Sequence, residues 1–258
     1  MMKRSVMQGI LFLCCATVFG MAATIFAQDG ATLKGKFIFE GDPPAPKAID
    51  CKKDPVCCQN KIFDESLVVG KNKELANVVV WVRTKGLKVP AELAAAHKQP
   101  ALLDNKGCRF QPRIVGLVKG QKLKIGNSDQ TGHNSNVTGQ GFNPIIPVNS
   151  SAEFEPKLLT PIVPNQVTCN IHPWMTGWVF VRPDPFFAVS AADGTFEISG
   201  LPADKELEFQ AWQEKTGFVE AVKLNGKAAK WAKGRFTQKL KAGVNDLGEI
   251  KVDAKEFN

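Results

Sequence analysis

From residue 108 onward the chain consists of short runs in which apolar and other side chains alternate, each closed by Gly, Pro, Asn or Asp. They are CRFQPRIVGLV, QKLKIGN, SAEFEPKLL, QVTC, GWVFV, FFAVS, GTFEI, ELEFQAW, FTQKLKA and GEIKV. A period of two places one set of side chains on a single face of a strand, and runs this short cannot carry the stripe of a helix. Upstream, ATLKGKFIFEG (31–41) repeats the pattern before a PPAP stretch. ANVVVWVR (76–83) has four apolar residues in a row, as a strand buried on both faces does. Only PAELAAAHK (90–98) reads as a helix. The expectation is an all-β chain of sandwiches or barrels. Its 258 residues and 44% hydrophobic content are enough for one large or two ordinary domains.

Residues 1–27 set Lys3 and Arg4 before an apolar run that ends at Ala27, the pattern of an export signal cut before Gln28. Nothing later supplies the roughly 20 apolar residues that span a bilayer, so no stable membrane insertion is expected, and the destination is periplasmic or secreted. Removing the leader lowers the formal charge from +8 to +6. The basic residues are scattered, without the blocks or aromatic interleaving of nucleic-acid binders, so an acidic partner protein fits better than nucleic acid.

Five cysteines remain after residue 27: Cys51, Cys57, Cys58, Cys108 and Cys169. An odd count in an oxidising compartment calls for a reason, and metal ligation is one. The bland alternative pairs Cys108 with Cys51 or Cys57 and leaves Cys169 an ordinary buried thiol. Cys169 opens CNIHPWM (169–175), which adds His172 and Met175, while His133 follows the strand QKLKIGN in a Gly-containing turn. His97 reads as a solvent-facing residue at the helix end. The candidate ligands are therefore His133, Cys169, His172 and Met175. Thiolate and thioether suit Cu(I) and imidazole suits Cu(II), so the set serves both copper states, whereas structural zinc more often takes paired cysteines.

In its C-x-x-H-x-x-M spacing CNIHPWM resembles the ligand loop of the type 1 blue copper proteins, the cupredoxins, with an amicyanin- or plastocyanin-like pattern. GHN (132–134) resembles the upstream ligand motif of the same family, and PRIVGLVKGQKLKIGNSD its strand-turn-strand approach. The resemblance implies a Greek-key β-sandwich with Cys169, His133 and His172 as equatorial ligands and Met175 as the weak axial one. Asn134 would tie the His133 segment to the Cys169 loop. More than a hundred residues precede His133, so the first strand of this sandwich is expected from ANVVVWV or a neighbour. DGTFEISGLP (193–202), GKFIFEG and NVVVWV resemble the small transthyretin-like sandwich of carboxypeptidase regulatory-like domains.

The expected organisation is a leader (1–27), an N-terminal β segment of the accessory sandwich (28–99), the copper-binding domain (100–183) and a C-terminal transthyretin-like part (184–258). A plain tandem of two domains is the competing layout. With no nucleophile elbow, HExxH or phosphate loop, and with carboxylate pairs such as Glu153/Glu155 and Glu206/Glu208 alternating on strands, the chain reads as no enzyme. One-electron transfer between redox partners, by a monomer, is the leading expectation. Copper storage or delivery and a structural envelope module are the alternatives. The edge of His172, with Pro173, Trp174, Phe142 and the PIIP segment (144–147), is the expected electron exit. Trp81, Trp212 and Trp231 are expected in the core rather than on sugar.

Overall fold

A computed structural model describes residues 30–257 apart from 53 and 60; the leader lies outside the described residues. The chain is all-β, in two sandwiches. One contains a five-stranded sheet ordered Thr195–Pro202, Gly30–Glu40, Gly243–Asp253, Ala221–Leu224 and Lys227–Lys230. Its facing sheet runs Phe187–Val189, Val79–Val82, Glu206–Gln213 and Gly217–Phe218, with Arg235–Lys239 also on Glu206–Gln213. Between them lie Leu33, Phe37, Phe39, Val80, Val82, Phe196, Phe209, Trp231 and Ile250, all buried. The strand nearest the start of the described chain thus pairs in parallel with the last, Ala31 opposite Gly243 and Glu40 opposite Asp253.

The other sandwich is formed within residues 101–182. One sheet is ordered Ser151–Phe154, Leu123–Asn127, Ala101–Asn105 and Phe110–Gln111; the other is Ile114–Val118, Thr176–Arg182, Asn165–Thr168 and Asn136–Val137. Its core holds Leu103, Phe110, Leu117, Leu123, Ile125, Val167, Val179 and Val181, together with Cys169 and Met175. The first strand of this sandwich is Ala101–Asn105, not ANVVVWV. The sequence hides it because Leu102 is 62% exposed beside buried Leu103, so the apolar pair spans both faces.

ANVVVWV instead joins the two sandwiches. Val80 and Val82 point into the first core, while Val79 and Trp81 meet Ile114, Phe180 and Trp212 in a third apolar layer. Thr176–Arg182 answers from the other side, with Val179 and Val181 facing its own core and Phe180 facing the shared layer. Trp81 and Phe180 have ring centroids 5.1 Å apart, and Trp178 and Trp212 4.9 Å. A strand apolar on both faces is what a layer between two cores requires. Trp81, Trp212 and Trp231 are accordingly core residues, 2%, 7% and 3% exposed.

Residues 49–62 depart from the expected plan. They lie in the stretch assigned to the accessory sandwich, yet Cys51, Cys57 and Ile62 pack into the core of the 101–182 sandwich. Two disulfides explain the placement: Cys57–Cys108 ties the segment to that sandwich and Cys51–Cys58 closes the segment on itself. Cys169 is the one free cysteine among the described residues.

The Asp-Gly turn at 193–194 has a steric test. Gly194 sits at φ +79°, and an added Cβ would lie 2.4 Å from the Phe37 carbonyl oxygen, which must stay close because Phe37 N donates to Gly194 O. Gly194→Ala is expected to destabilise the fold by about 2 kcal/mol, read as a lower urea midpoint with unchanged slope.

Candidate metal centre

Two loops at one end of the 101–182 sandwich form the centre. The first leaves Leu123–Asn127 and is pinned by Asn127, whose Nδ2 donates to the carbonyls of Thr131 (2.8 Å) and Ile146 (2.9 Å). His133 and Asn134 then pair with Ile146 and Ile145 in a short antiparallel ladder. The second loop is CNIHPWM. Met175 N donates to His172 O (2.9 Å) and Cys169 N to Met175 O (3.3 Å), closing the turn between Asn165–Thr168 and Thr176–Arg182.

These loops bring three of the four expected ligands to one point. His133 Nδ1 and His172 Nδ1 are 2.9 Å apart, and Cys169 Sγ lies 4.0 Å from the first and 3.7 Å from the second. All three residues are no more than 1% exposed. Met175 is buried in the same core beside them, 1% exposed, with its backbone bonded to Cys169. His97 stands apart, half-buried against Gln121.

Asn134 bridges the loops. Its Oδ1 accepts from Cys169 Sγ (3.4 Å), Asn170 N (2.7 Å) and Ile171 N (3.3 Å), and its Nδ2 donates to Asn143 Oδ1 (2.6 Å) and Asn170 Oδ1 (3.2 Å).

Two carboxylates that the sequence reading passed over complete the site. His133 Nε2 lies 3.0 Å from Asp129 Oδ2, and His172 Nε2 lies 2.6 Å from Asp54 Oδ2. Asp129 stands four residues before His133 in NSDQTGHN, which was the available signal. Asp54 lies in DCKKDPVCC, far along the chain, in a segment that packs on the sandwich and is cross-linked to it by Cys57–Cys108. The hydrogen bond from His172, aided by the Cys57 N–H, holds the Asp54 carboxyl below its usual range. Burial pushes the His133 imidazole below its own, as does the neighbouring His172, against an opposing pull from Asp129.

Chemistry follows from the proton positions. An ionised carboxylate only accepts, so each Nε2 must donate, and the neutral ring then has a bare lone pair at Nδ1. Two such lone pairs face each other at 2.9 Å beside a thiol, in a pocket closed to water. Unrelieved, that repulsion is costly; a cation between them removes it. The donor set fits a soft metal ion. Two nitrogens and one sulfur suit a soft ion such as copper, and six-oxygen ions such as Mg²⁺ and Ca²⁺ are excluded.

The structure corrects one part of the expected electron exit, the edge of His172 itself. His172 is 1% exposed and its outer nitrogen is covered by Asp54. Trp174 is half-buried, its Nε1 donating to Cys108 O (3.3 Å), and Phe142 stacks on Phe154 at 3.9 Å. Of the expected rim, Pro173 and Ile145 (70%) are exposed, and Ile171 (51%) joins them; Ile145 and Ile171 both adjoin Asn134.

No family model matches the chain, and no curated protein matches it. Among solved structures it is similar to a copper-containing nitrite reductase from Thermus scotoductus SA-01, with 22% identity and a TM-score of 0.29. That likeness covers 39% of this chain and 24% of the reductase, so the chain spans about a quarter of that relative's length. A purple cupredoxin from Nitrosopumilus maritimus is matched at 21% identity and TM-score 0.28, over 32% of this chain and 99% of that one. A reduced amicyanin variant is matched at 14% identity and TM-score 0.29, over 40% and 98%.

Proposed function

We propose that the protein is an exported type 1 copper protein that passes one electron at a time between redox partners. The observation that carries this reading is the convergence of His133 Nδ1, His172 Nδ1 and Cys169 Sγ in a pocket shut off from solvent. Copper, when bound, would supply the Cu(I)/Cu(II) couple. The chain's own groups do the rest: His133, Cys169 and His172 hold the ion, and Met175 stands as the weak fourth donor. Asp54 and Asp129 keep the imidazole protons on Nε2, and Asn134 locks the Cys169 loop. Rigid support on both imidazoles limits rearrangement between oxidation states, which outer-sphere transfer favours.

With its donors buried the centre offers no opening to a substrate, so the protein is read as no enzyme. Export to the periplasm or beyond is supported by the two disulfides. Among the described residues no helix is long and apolar enough to cross a membrane. A monomer is proposed to meet its partner, an acidic protein drawn by the excess of basic residues, at exposed Ile145 and Ile171. Weak redox encounters need only such small apolar contacts. Ile171→Glu is expected to slow electron exchange with that partner about tenfold while leaving the visible spectrum unchanged.

Retention of the metal separates an electron carrier from a copper-delivery protein. Over repeated cycles of oxidation and reduction in the presence of a Cu(I) chelator, a carrier keeps its copper. Loss to the chelator within the first few cycles contradicts this reading and supports delivery.

A further inference from the structure

The disulfide Cys57–Cys108 touches both halves of the centre. Cys57 N donates to Asp54 Oδ1 (3.2 Å), whose other oxygen receives His172 Nε2 at 2.6 Å. Cys108 N donates to Asp129 Oδ2 (2.8 Å), the same atom that receives His133 Nε2 at 3.0 Å. The cysteine sulfurs are equally close: that of Cys57 lies within 4.8 Å of a ring nitrogen of His172, and that of Cys108 within 4.8 Å of a ring nitrogen of His133. Both sulfurs are buried, at residues 4% and 2% exposed.

We propose that the Cys57–Cys108 disulfide is a positioning device for the metal centre, a single covalent clamp that fixes both carboxylates and through them the ring orientation of both histidine ligands. The inference rests on His133 and His172 being ligands, as proposed above. Each carboxylate is otherwise held by backbone N–H groups. Asp54 folds a turn onto Val56 N (3.0 Å) and Cys57 N, in a segment whose flanks meet each other at the Ala48–Phe63 bridge. Asp129 is anchored by the backbone of Gly107 and Cys108. Those two anchors come from chain segments 51 residues apart, and the disulfide is the covalent bond that joins them. Without it the only covalent path from Asp54 to the sandwich that carries His172 is the long run of backbone between them. The second disulfide, Cys51–Cys58, only closes its own loop, so the two bridges have separable roles.

The test uses the full exported chain, first free of metal. Histidine ring nitrogen-proton NMR should show both Nε2–H signals protected from exchange, since each proton lies on a buried imidazole and is held by a part-buried carboxylate. In Cys57→Ala/Cys108→Ala both signals are expected to exchange at least about tenfold faster. In Cys51→Ala/Cys58→Ala they should stay protected. Asp54→Ala should release the His172 proton alone, and Asp54→Asn, which keeps an acceptor oxygen, should restore part of the protection. Copper affinity should fall about 10- to 100-fold in Cys57→Ala/Cys108→Ala and in Asp54→Ala.

A folded Cys57→Ala/Cys108→Ala variant with both signals and the affinity unchanged overturns the proposal, as does an equal loss in Cys51→Ala/Cys58→Ala. Should the first variant not fold, Asp54→Ala decides: an unaltered His172 signal and affinity overturn it. Because the proton signals are read without metal, they stand or fall independently of whether the copper form proves to be a type 1 centre.

Discussion

Cys169→Ser is expected to leave the fold intact and remove the centre. The serine hydroxyl can still donate to Asn134 Oδ1, now bonded by Cys169 Sγ at 3.4 Å, so the cost to stability stays at about 1–2 kcal/mol. In the proposed copper centre, however, the thiolate would be the donor that binds Cu(I) and gives the oxidised ion its colour, and a hydroxyl is a poor substitute on both counts. Copper affinity should drop by more than about 100-fold, beyond the 10- to 100-fold typical of losing a supporting partner of a ligand. Copper titration followed by absorbance measures both. A variant that binds copper as tightly as the parent, with the same spectrum, contradicts the assignment of Cys169.

Asn134→Ala should have a large effect for a substitution that spares the four proposed ligands. It removes five hydrogen bonds at once, three to the Cys169–Ile171 backbone and thiol and two to Asn143 and Asn170. The side chain is 5% exposed, so water cannot replace most of them. At roughly 0.5–1.5 kcal/mol each, and with the contacts mutually supporting, the expected loss is about 3 kcal/mol, or roughly 10 °C in melting temperature for a chain of this size. The metal should feel it too. Cys169 and His133 are carried on the two loops that Asn134 joins, so the visible band of the copper-loaded variant is expected to shift or weaken. A calorimetric melt within 2 °C of the parent, with an unchanged band, rejects this account of the bridge.

Much of this site could be read in the sequence because its parts are local. CNIHPWM places a thiol, an imidazole and a thioether within one turn, and GHN follows a regular strand, so type and spacing alone single out His133, Cys169, His172 and Met175. The strands were equally legible wherever side chains alternate, as in Gly30–Glu40, where Ala31, Leu33, Phe37 and Phe39 face one core. Ala101–Asn105 was missed because it lacks that alternation. Asp54 was missed for a different reason: it reaches His172 across 118 positions, through a segment with almost no regular structure. Nothing local in DCKKDPVCC announces a carboxylate aimed at an imidazole. The segment that holds Asp54 is linked to the 101–182 sandwich by the Cys57–Cys108 disulfide, a pairing that the sequence left open. The expected exit through His172 failed on the same point, since a ligand loop read alone says nothing about what a distant segment lays over it.

The most direct test is the visible and electron paramagnetic resonance spectrum of the full chain loaded with Cu(II). The account predicts an intense thiolate-to-copper band in the visible and the small copper hyperfine splitting of a strongly covalent Cu–S bond, at one copper per chain. A stoichiometric but nearly colourless Cu(II) complex with a wide hyperfine splitting contradicts it.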